Sequence, residues 1–186
     1  MQSGLPAPTI RLVLLAVATL LAVLLMTSPS HAASGGVGAP GQAAAETKQG
    51  GGYADARLLP SGEAVAPASA PRRVERAIAA ANRIRKAKYL WGGGHGSFED
   101  RGYDCSGAVS YLLHGGGMLK APLASGGLAG WGREGRGKWI SVYASAGHTY
   151  AVVAGLRWDT SGGPGPRWHR DARSPGGYEV RHFNGY

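Results

Sequence analysis

Cys105 is the only cysteine in the 186-residue chain, and it lies between an aspartate and a serine in the stretch YDCSG. Apolar residues recur at positions 105, 108, 109 and 112, and this spacing predicts a helix from about residue 104 to 113. Asp104 would then be its N-cap, and Cys105 would lie in the first turn. Free N–H groups and the helix dipole favour a thiolate there. A nucleophile is the functional interpretation, and a small buried hydrophobe is the alternative.

A thiolate nucleophile needs a nearby base, and the base needs a group that orients it. His148 begins the strand-like stretch HTYAVVA, and Asp159 lies across the turn at Gly155. Strand pairing would bring these two side chains within about 5–8 Å of each other. We therefore predict a triad of Cys105, His148 and Asp159, although Asp159 in the sequence Asp-Thr-Ser-Gly could equally be a turn residue. The remaining histidines are assigned to the N-terminal segment, to the solvated surface or to the far end of the helix: His31, His95, His114, His169 and His182.

Other chemistries have less support in the residue pattern. No pair of residues shows the tight spacing of zinc ligands, so we expect neither a metal nor a cofactor. The net charge is +9 and the pI about 10.1, but no nucleic-acid-binding module accompanies the scattered basic residues. We expect no nucleic acid as a partner, and an affinity for anionic cell-wall polymers instead.

The periodicity predicts an α+β domain. VERAIAAANRIRK (74–86) has the apolar spacing of an amphipathic helix, and it precedes the cysteine helix. Four short stretches rich in branched and aromatic residues predict antiparallel strands: 139–143, 148–154, 156–160 and 178–183. The glycine-rich segments 114–138 and 161–177 are predicted loops. Helices followed by strands favour helices packed on one face of a small antiparallel sheet.

Composition predicts three regions along the chain. Residues 1–32 contain a charged residue, an apolar run and a small-residue site, the layout of a secretory signal peptide. Residues 33–71 are rich in Gly, Ala and Pro and predict a disordered linker. Residues 72–186 would form one catalytic domain, which we expect to be secreted or cell-wall associated and monomeric. Contact with a membrane is expected only if the signal stays uncleaved.

Three stretches together resemble the NlpC/p-sixty family of papain-like cell-wall cysteine peptidases: YLWGGG (89–94), YDCSGAVSYLL (103–113) and GHTYAVVAG (147–155). The resemblance implies a papain-like fold and a secreted enzyme that hydrolyses peptide bonds in bacterial peptidoglycan stem peptides, commonly between D-glutamate and a diamino acid. It also implies site roles: Cys105 as nucleophile, His148 as base, Asp159 as orienting residue, Tyr89 beside the cysteine, and Asp104 and Ser106 in the stem-peptide pocket.

The chain also departs from the family pattern. GKWISVYASAGH lacks the acid that often precedes the catalytic histidine, and the third polar residue is Asp rather than the frequent His, Asn or Gln. These differences leave the cleaved bond open. A CHAP-like amidase or a cysteine acyl transferase would use the same triad, and a catalytically silent wall-binding module could keep the same fold.

Overall fold

A computed structural model describes residues 55–186 of the chain. The predicted signal peptide (1–32) and residues 33–54 of the predicted linker lie outside the described residues. Within 55–186, no helix combines the length and the apolar character needed to cross a membrane.

The described chain contains both helices and strands, as predicted. The helices are α1 (Arg72–Ile84), α2 (Cys105–Gly115) and α3 (Ser125–Ala129). Two short pairs of strands flank α1, antiparallel β1 (Arg57–Leu58) with β2 (Ala64–Val65) and parallel β3 (Lys88–Tyr89) with β4 (Gly102–Tyr103). The remaining strands are β5 (Arg133–Glu134), β6 (Ile140–Ala144), β7 (Thr149–Val153), β8 (Leu156–Asp159), β9 (Arg167–His169) and β10 (Glu179–His182).

These last six strands form one antiparallel sheet in the order β5-β10-β6-β7-β8-β9. The predicted mixture of helices and a small antiparallel sheet is therefore confirmed. Two loop predictions were incomplete, because β9 lies inside 161–177, and α3 and β5 lie inside 114–138. Trp168 is the only buried residue of β9, so its sequence has no alternation of apolar and polar residues from which a strand could be predicted.

The helix α2 lies between α1 and the sheet. Along α1 the predicted apolar stripe is buried: Val74, Ala77, Ile78, Ala81 and Ile84. On its other side α2 is joined to the sheet by Trp158 of β8, whose Nε1 donates a hydrogen bond to the Ala108 carbonyl at 3.1 Å. Trp158 is fully buried, so this bond fixes the strand against the first turns of α2.

The structure differs from the predicted linker over residues 55–71, which are packed. Ala64 exchanges two hydrogen bonds with the Asn82 side chain on α1, at 3.0 and 2.8 Å. Ala56 donates a backbone hydrogen bond to Ala154 at 2.8 Å. Three alanines of this segment are buried in the core: Ala56, Ala64 and Ala70. Alanine is also common in linkers, so the composition did not indicate that the segment is packed. The packed region therefore starts at least 17 residues before position 72.

A two-residue turn joins β7 to β8. Ala154 and Gly155 both have positive φ, 44° and 83°, as the tightest hairpin turns require. A side chain at Gly155 would meet Asp55 Oδ1 at 2.6 Å, so both the conformation and the space favour glycine. The turn pairs Val153 with Leu156 and Ala151 with Trp158. This register directs Trp158 toward α2 and its neighbour Asp159 to the other face of the sheet.

Candidate active site

Cys105 is the first residue of α2. Asp104 is the N-cap, as predicted, and its Oδ1 accepts a hydrogen bond from the Gly107 N–H at 2.8 Å. The N–H groups of Cys105 and Ser106 belong to the first turn and have no acceptor within the helix. The thiol is buried but reaches the cleft described below, and its Sγ lies 4.0 Å from Ser125 Oγ of α3. The cysteine therefore lies at the positive end of the helix dipole.

His148 joins the thiol to a buried carboxylate. Its Nε2 lies 2.9 Å from Asp159 Oδ1, and the Asp159 side chain is completely shielded from solvent. The imidazole is also close enough to the Cys105 thiol to shift the pKa of both groups. Cys105, His148 and Asp159, the residues predicted as a triad, thus lie next to one another.

The electrostatics of these three residues favour a thiolate–imidazolium pair. Burial raises the pKa of the Cys105 thiol, but its interactions with His148 and the Thr149 backbone outweigh this effect, so the pKa lies below its ordinary value. The hydrogen bond to Asp159 and the nearby Cys105 raise the pKa of His148 to about 9. Burial also opposes ionisation of Asp159, yet its hydrogen bonds from His148 and the Ser161 N–H hold the pKa of that carboxyl well below its usual range.

Two arginines complete the surroundings of Asp159, and neither was singled out from the sequence. Arg157 Nη1 donates to Asp159 Oδ2, and Arg157 Nη2 donates to Asp171 Oδ2 at 2.7 Å. Arg173 Nη1 lies 3.2 Å from Asp159 Oδ2 and 2.9 Å from Ser161 Oγ. Arg157 could have been found, because it lies two residues before Asp159 and so on the same face of β8. Arg173 lies in an irregular segment that has no such period.

A cleft of about 210 Å³ opens beside the thiol and is lined by Cys105, Ser106, Asp104, His95, Trp91 and Ser125 among others. Asp104 and Ser106 line this cleft, and their role toward a stem peptide stays a prediction. His95 was assigned to the solvated surface, and this prediction was wrong. Its Nε2 lies 3.0 Å from Asp104 Oδ1 and 3.1 Å from Ser106 Oγ.

Asp104 holds the cleft wall together through its own hydrogen bonds. Its Oδ2 accepts from the Gly92 N–H at 3.1 Å, while Oδ1 is shared by Gly107, His95 and Ser106. The carboxylate thus ties the loop before β4 to the first turn of α2. On the same side of the cleft, Ser106, His95 and the exposed Trp91 also contribute to its lining.

Tyr89 lies at the end of β3, and its side chain is partly exposed. Burial of the phenol, together with the negative charges of Cys105 and Asp104, raises its pKa. The phenol is therefore close enough to both residues to be affected by their charge.

The other histidines lie outside the group formed by Cys105, His148 and Asp159. His114 stacks on Phe98 with ring centroids 3.8 Å apart. His169 is half-buried in β9 rather than solvated, because Arg157 and Asp171 pack around it. Among the described residues, no three His, Cys, Asp or Glu side chains are grouped as a metal site would need.

Gly107 allows the glycine loop to rest on α2. A Cβ at this position would lie 2.0 Å from the carbonyl oxygen of Gly93, a backbone atom that cannot move alone. We expect Gly107→Ala to lower the free energy of unfolding by about 1–3 kcal/mol, the usual cost of overpacking, as measured by urea denaturation. Gly126→Ala is the matched control, because a Cβ there meets nothing within 4 Å. Equal stability of the two variants would contradict the close packing of loop and helix.

No family model matches the chain, and no curated protein matches it either. Among solved structures, the chain is similar to a mutated form of the resuscitation promoting factor interacting protein RipA. The two share 22% sequence identity at a TM-score of 0.45, over 69% of this chain and 71% of that one.

Proposed function

We propose that the protein is a secreted cysteine peptidase that hydrolyses peptide bonds in bacterial peptidoglycan stem peptides, with a papain-like arrangement of helix and sheet. One observation carries this proposal: the Cys105 thiol at the start of α2 lies beside the His148 imidazole, whose Nε2 is hydrogen-bonded to the buried Asp159. A buried free cysteine used only for packing would need neither the imidazole nor the carboxylate.

The arrangement supports acyl transfer through a covalent intermediate. The Cys105 thiolate would attack the carbonyl carbon, and the N–H of Cys105 at the helix N-terminus would donate to the oxyanion. The His148 imidazolium would protonate the leaving amine as the C–N bond breaks, which leaves an acyl thioester. The neutral imidazole would then take a proton from water, whose oxygen attacks the thioester and releases the acid and the thiolate.

The proposed substrate class follows from the three stretches that resemble NlpC/p-sixty peptidases, and the finer proposal is cleavage between D-glutamate and the diamino acid. The cleft beside Cys105 is consistent with a peptide substrate, since it presents both polar side chains and the exposed indole of Trp91. The positive net charge would favour association with anionic wall polymers. We propose that the enzyme acts as a monomer.

Digestion of purified peptidoglycan tests the proposal. A chain that begins at residue 33 is incubated with the polymer, and the released fragments are identified by mass. Endopeptidase activity would release fragments with a new amino terminus on the diamino acid. Fragments cut between sugar and peptide would identify an amidase instead, and joined stem peptides would identify an acyl transferase. If the folded protein releases no fragments, the result would indicate a catalytically silent wall-binding module.

Asp159→Ala is expected to lower kcat by about 10- to 1000-fold, equivalent to about 1.4–4 kcal/mol of transition-state stabilisation. The base would remain in place and only its alignment would suffer. Asp159→Asn should retain part of the activity, because its amide oxygen can still accept the bond from Nε2. Steady-state kinetics on a soluble muropeptide measure both effects.

A stability measurement must accompany this test, because Arg157 is buried and donates to Asp159. Removing one partner of a buried pair is strongly destabilising. The isosteric asparagine variant keeps the volume and therefore separates loss of alignment from loss of fold. A folded Asp159→Ala protein with unchanged kcat would leave Asp159 with a purely structural role and the enzyme with a Cys–His dyad.

A further inference from the structure

Residues 170–178, here called the strap, follow β9 and lie over the end of the sheet that carries His148 and Asp159. Tyr178 stacks edge-on against Tyr150 with centroids 5.1 Å apart, and it lies 6.5 Å from the His148 ring. The Arg173 guanidinium lies over both tyrosines, 5.6 Å from Tyr150 and 5.7 Å from Tyr178. The strap therefore has one cationic side chain whose position is fixed by two aromatic rings.

This guanidinium reaches both groups that surround His148 Nε2. One group is Asp159, whose Oδ1 lies 2.9 Å from Nε2 and whose Oδ2 lies 3.2 Å from Arg173 Nη1. The other is Ser161, whose Oγ lies 3.2 Å from Nε2 and 2.9 Å from Arg173 Nη1. A single nitrogen of Arg173 is thus linked to the imidazole by two separate routes, each through one intervening residue.

The two oxygens of Asp159 have different partners. Oδ1 accepts from His148 and from the Ser161 N–H, whereas Oδ2 accepts from Arg157 and Arg173. A carboxylate without donors on Oδ2 could rotate about its terminal bond, because this torsion is broad. Donors on both oxygens hold the plane of the carboxylate and keep Oδ1 directed at Nε2.

We infer that Arg173 is a positioning residue for the proposed hydrolysis, acting through Asp159 and Ser161 to hold the His148 imidazole in its productive orientation. The inference rests on the proposed function for its kinetic readout. It assigns a role in the site to the strap, a segment in which the sequence shows no motif.

Arg173 is better suited to a test than Arg157. The Arg157 side chain is only 8% exposed and also binds the Asp171 backbone and carboxylate, so its replacement endangers the fold. The Arg173 side chain is 34% exposed, so a truncated variant leaves little buried charge behind. Arg170 is the matched control, because it lies in the same strap and donates to the Leu58 carbonyl at 2.6 Å instead.

The kinetic test compares Arg173→Ala with Arg170→Ala on a soluble muropeptide. We expect Arg173→Ala to lower kcat about tenfold, or about 1.4 kcal/mol, with KM unchanged within about twofold. Millimolar guanidinium should restore part of the lost kcat, because the small cation can occupy the position of the missing side chain. Arg170→Ala should keep the wild-type kcat and KM.

A second readout needs no peptidoglycan. The rate at which iodoacetamide alkylates Cys105 at pH 7 reports the thiolate that an aligned His148 sustains. It should fall in Arg173→Ala, recover with guanidinium and stay unchanged in Arg170→Ala. If this pattern holds while the wild-type protein releases no wall fragments, the positioning role stands and the proposed function fails.

Two results would overturn the inference. One is an Arg173→Ala protein with wild-type kcat and wild-type alkylation rate. The other is a loss of kcat without guanidinium rescue that is matched by Tyr178→Leu, together with an equal fall in melting temperature. The second result would mean that Arg173 only holds the strap against the tyrosines, because Tyr178→Leu removes the stacking and leaves the bonds to Asp159 and Ser161.

Discussion

Cys105→Ala is expected to abolish the release of fragments from peptidoglycan, with a fall in kcat of roughly 10⁴-fold or more. The thiolate forms the covalent bond to the substrate, and no other side chain in the cleft has comparable nucleophilicity. The loss should come without unfolding, because the substitution removes one sulfur atom at the end of a helix. Thermal melts of the two proteins provide that control.

Alkylation of Cys105 tests the same role of the thiolate independently. Iodoacetamide should modify the protein near neutral pH faster than it modifies a free cysteine peptide, whose pKa is about 8.5. Since the chain has one cysteine, the mass should rise by a single adduct and activity should fall in proportion to it. Equal wall-degrading activity in wild type and Cys105→Ala would refute the enzymatic proposal.

His148→Ala is expected to lower kcat by roughly 10²- to 10⁴-fold, the usual contribution of general acid–base catalysis. The variant loses the proton donor for the leaving amine and the cation that stabilises the thiolate. The pKa of Cys105 should therefore rise, which slows alkylation at pH 7. His182→Ala is the matched control, since its Nδ1 lies 3.1 Å from the Gly135 carbonyl, outside the site. A fall in both variants would point to a general loss of fold.

The pH dependence of wild-type activity follows from the pair formed by the Cys105 thiolate and the His148 imidazolium. His148 keeps its proton up to a pKa of about 9, so activity that needs the imidazolium should fall as the pH rises past that value. Stability should change in the same range. A histidine whose pKa is raised on folding stabilises the protein fully below its unfolded value of about 6.5, and this stabilisation is lost as the pH rises toward 9. The lowered pKa of the Cys105 thiol contributes with the opposite sign over this range, so the titration of His148 is followed directly by NMR of its ring protons. An apparent pKa at or below about 6.5 would contradict the raised value.

Regular periodicity made much of the fold predictable. The apolar spacing of α1 and α2 and the branched residues of β6, β7 and β8 indicated these elements to within a few residues of their observed ends. The proximity of His148 and Asp159 could also be predicted, because a glycine turn between two strands determines which residues are neighbours across the pair. Those elements position every member of the predicted triad.

The positions of residues outside the periodic segments could not be predicted. His95 lies in a glycine-rich loop, and only the three-dimensional course of that loop places it beside Asp104 and Ser106. Arg173 lies in a proline- and glycine-containing segment, where its partners are 12 and 14 positions away along the chain. Ala64 hydrogen-bonds to Asn82 through its backbone, which any residue type could do. In all three cases tertiary geometry, rather than residue pattern, determines the contact.

The two-residue turn at Ala154 and Gly155 also limits how this chain can change in length. Side chains of a strand alternate between faces, so a slip of one residue between β7 and β8 would exchange Trp158 and Asp159. The carboxylate would then enter the apolar layer beside α2, and the indole would take its place near His148. A slip of two residues would restore the face but move the carboxylate about 7 Å along the strand and change its distance from the imidazole. Insertions and deletions that shift this register by one residue would therefore separate Asp159 from His148 even though they occur far from Cys105 in sequence.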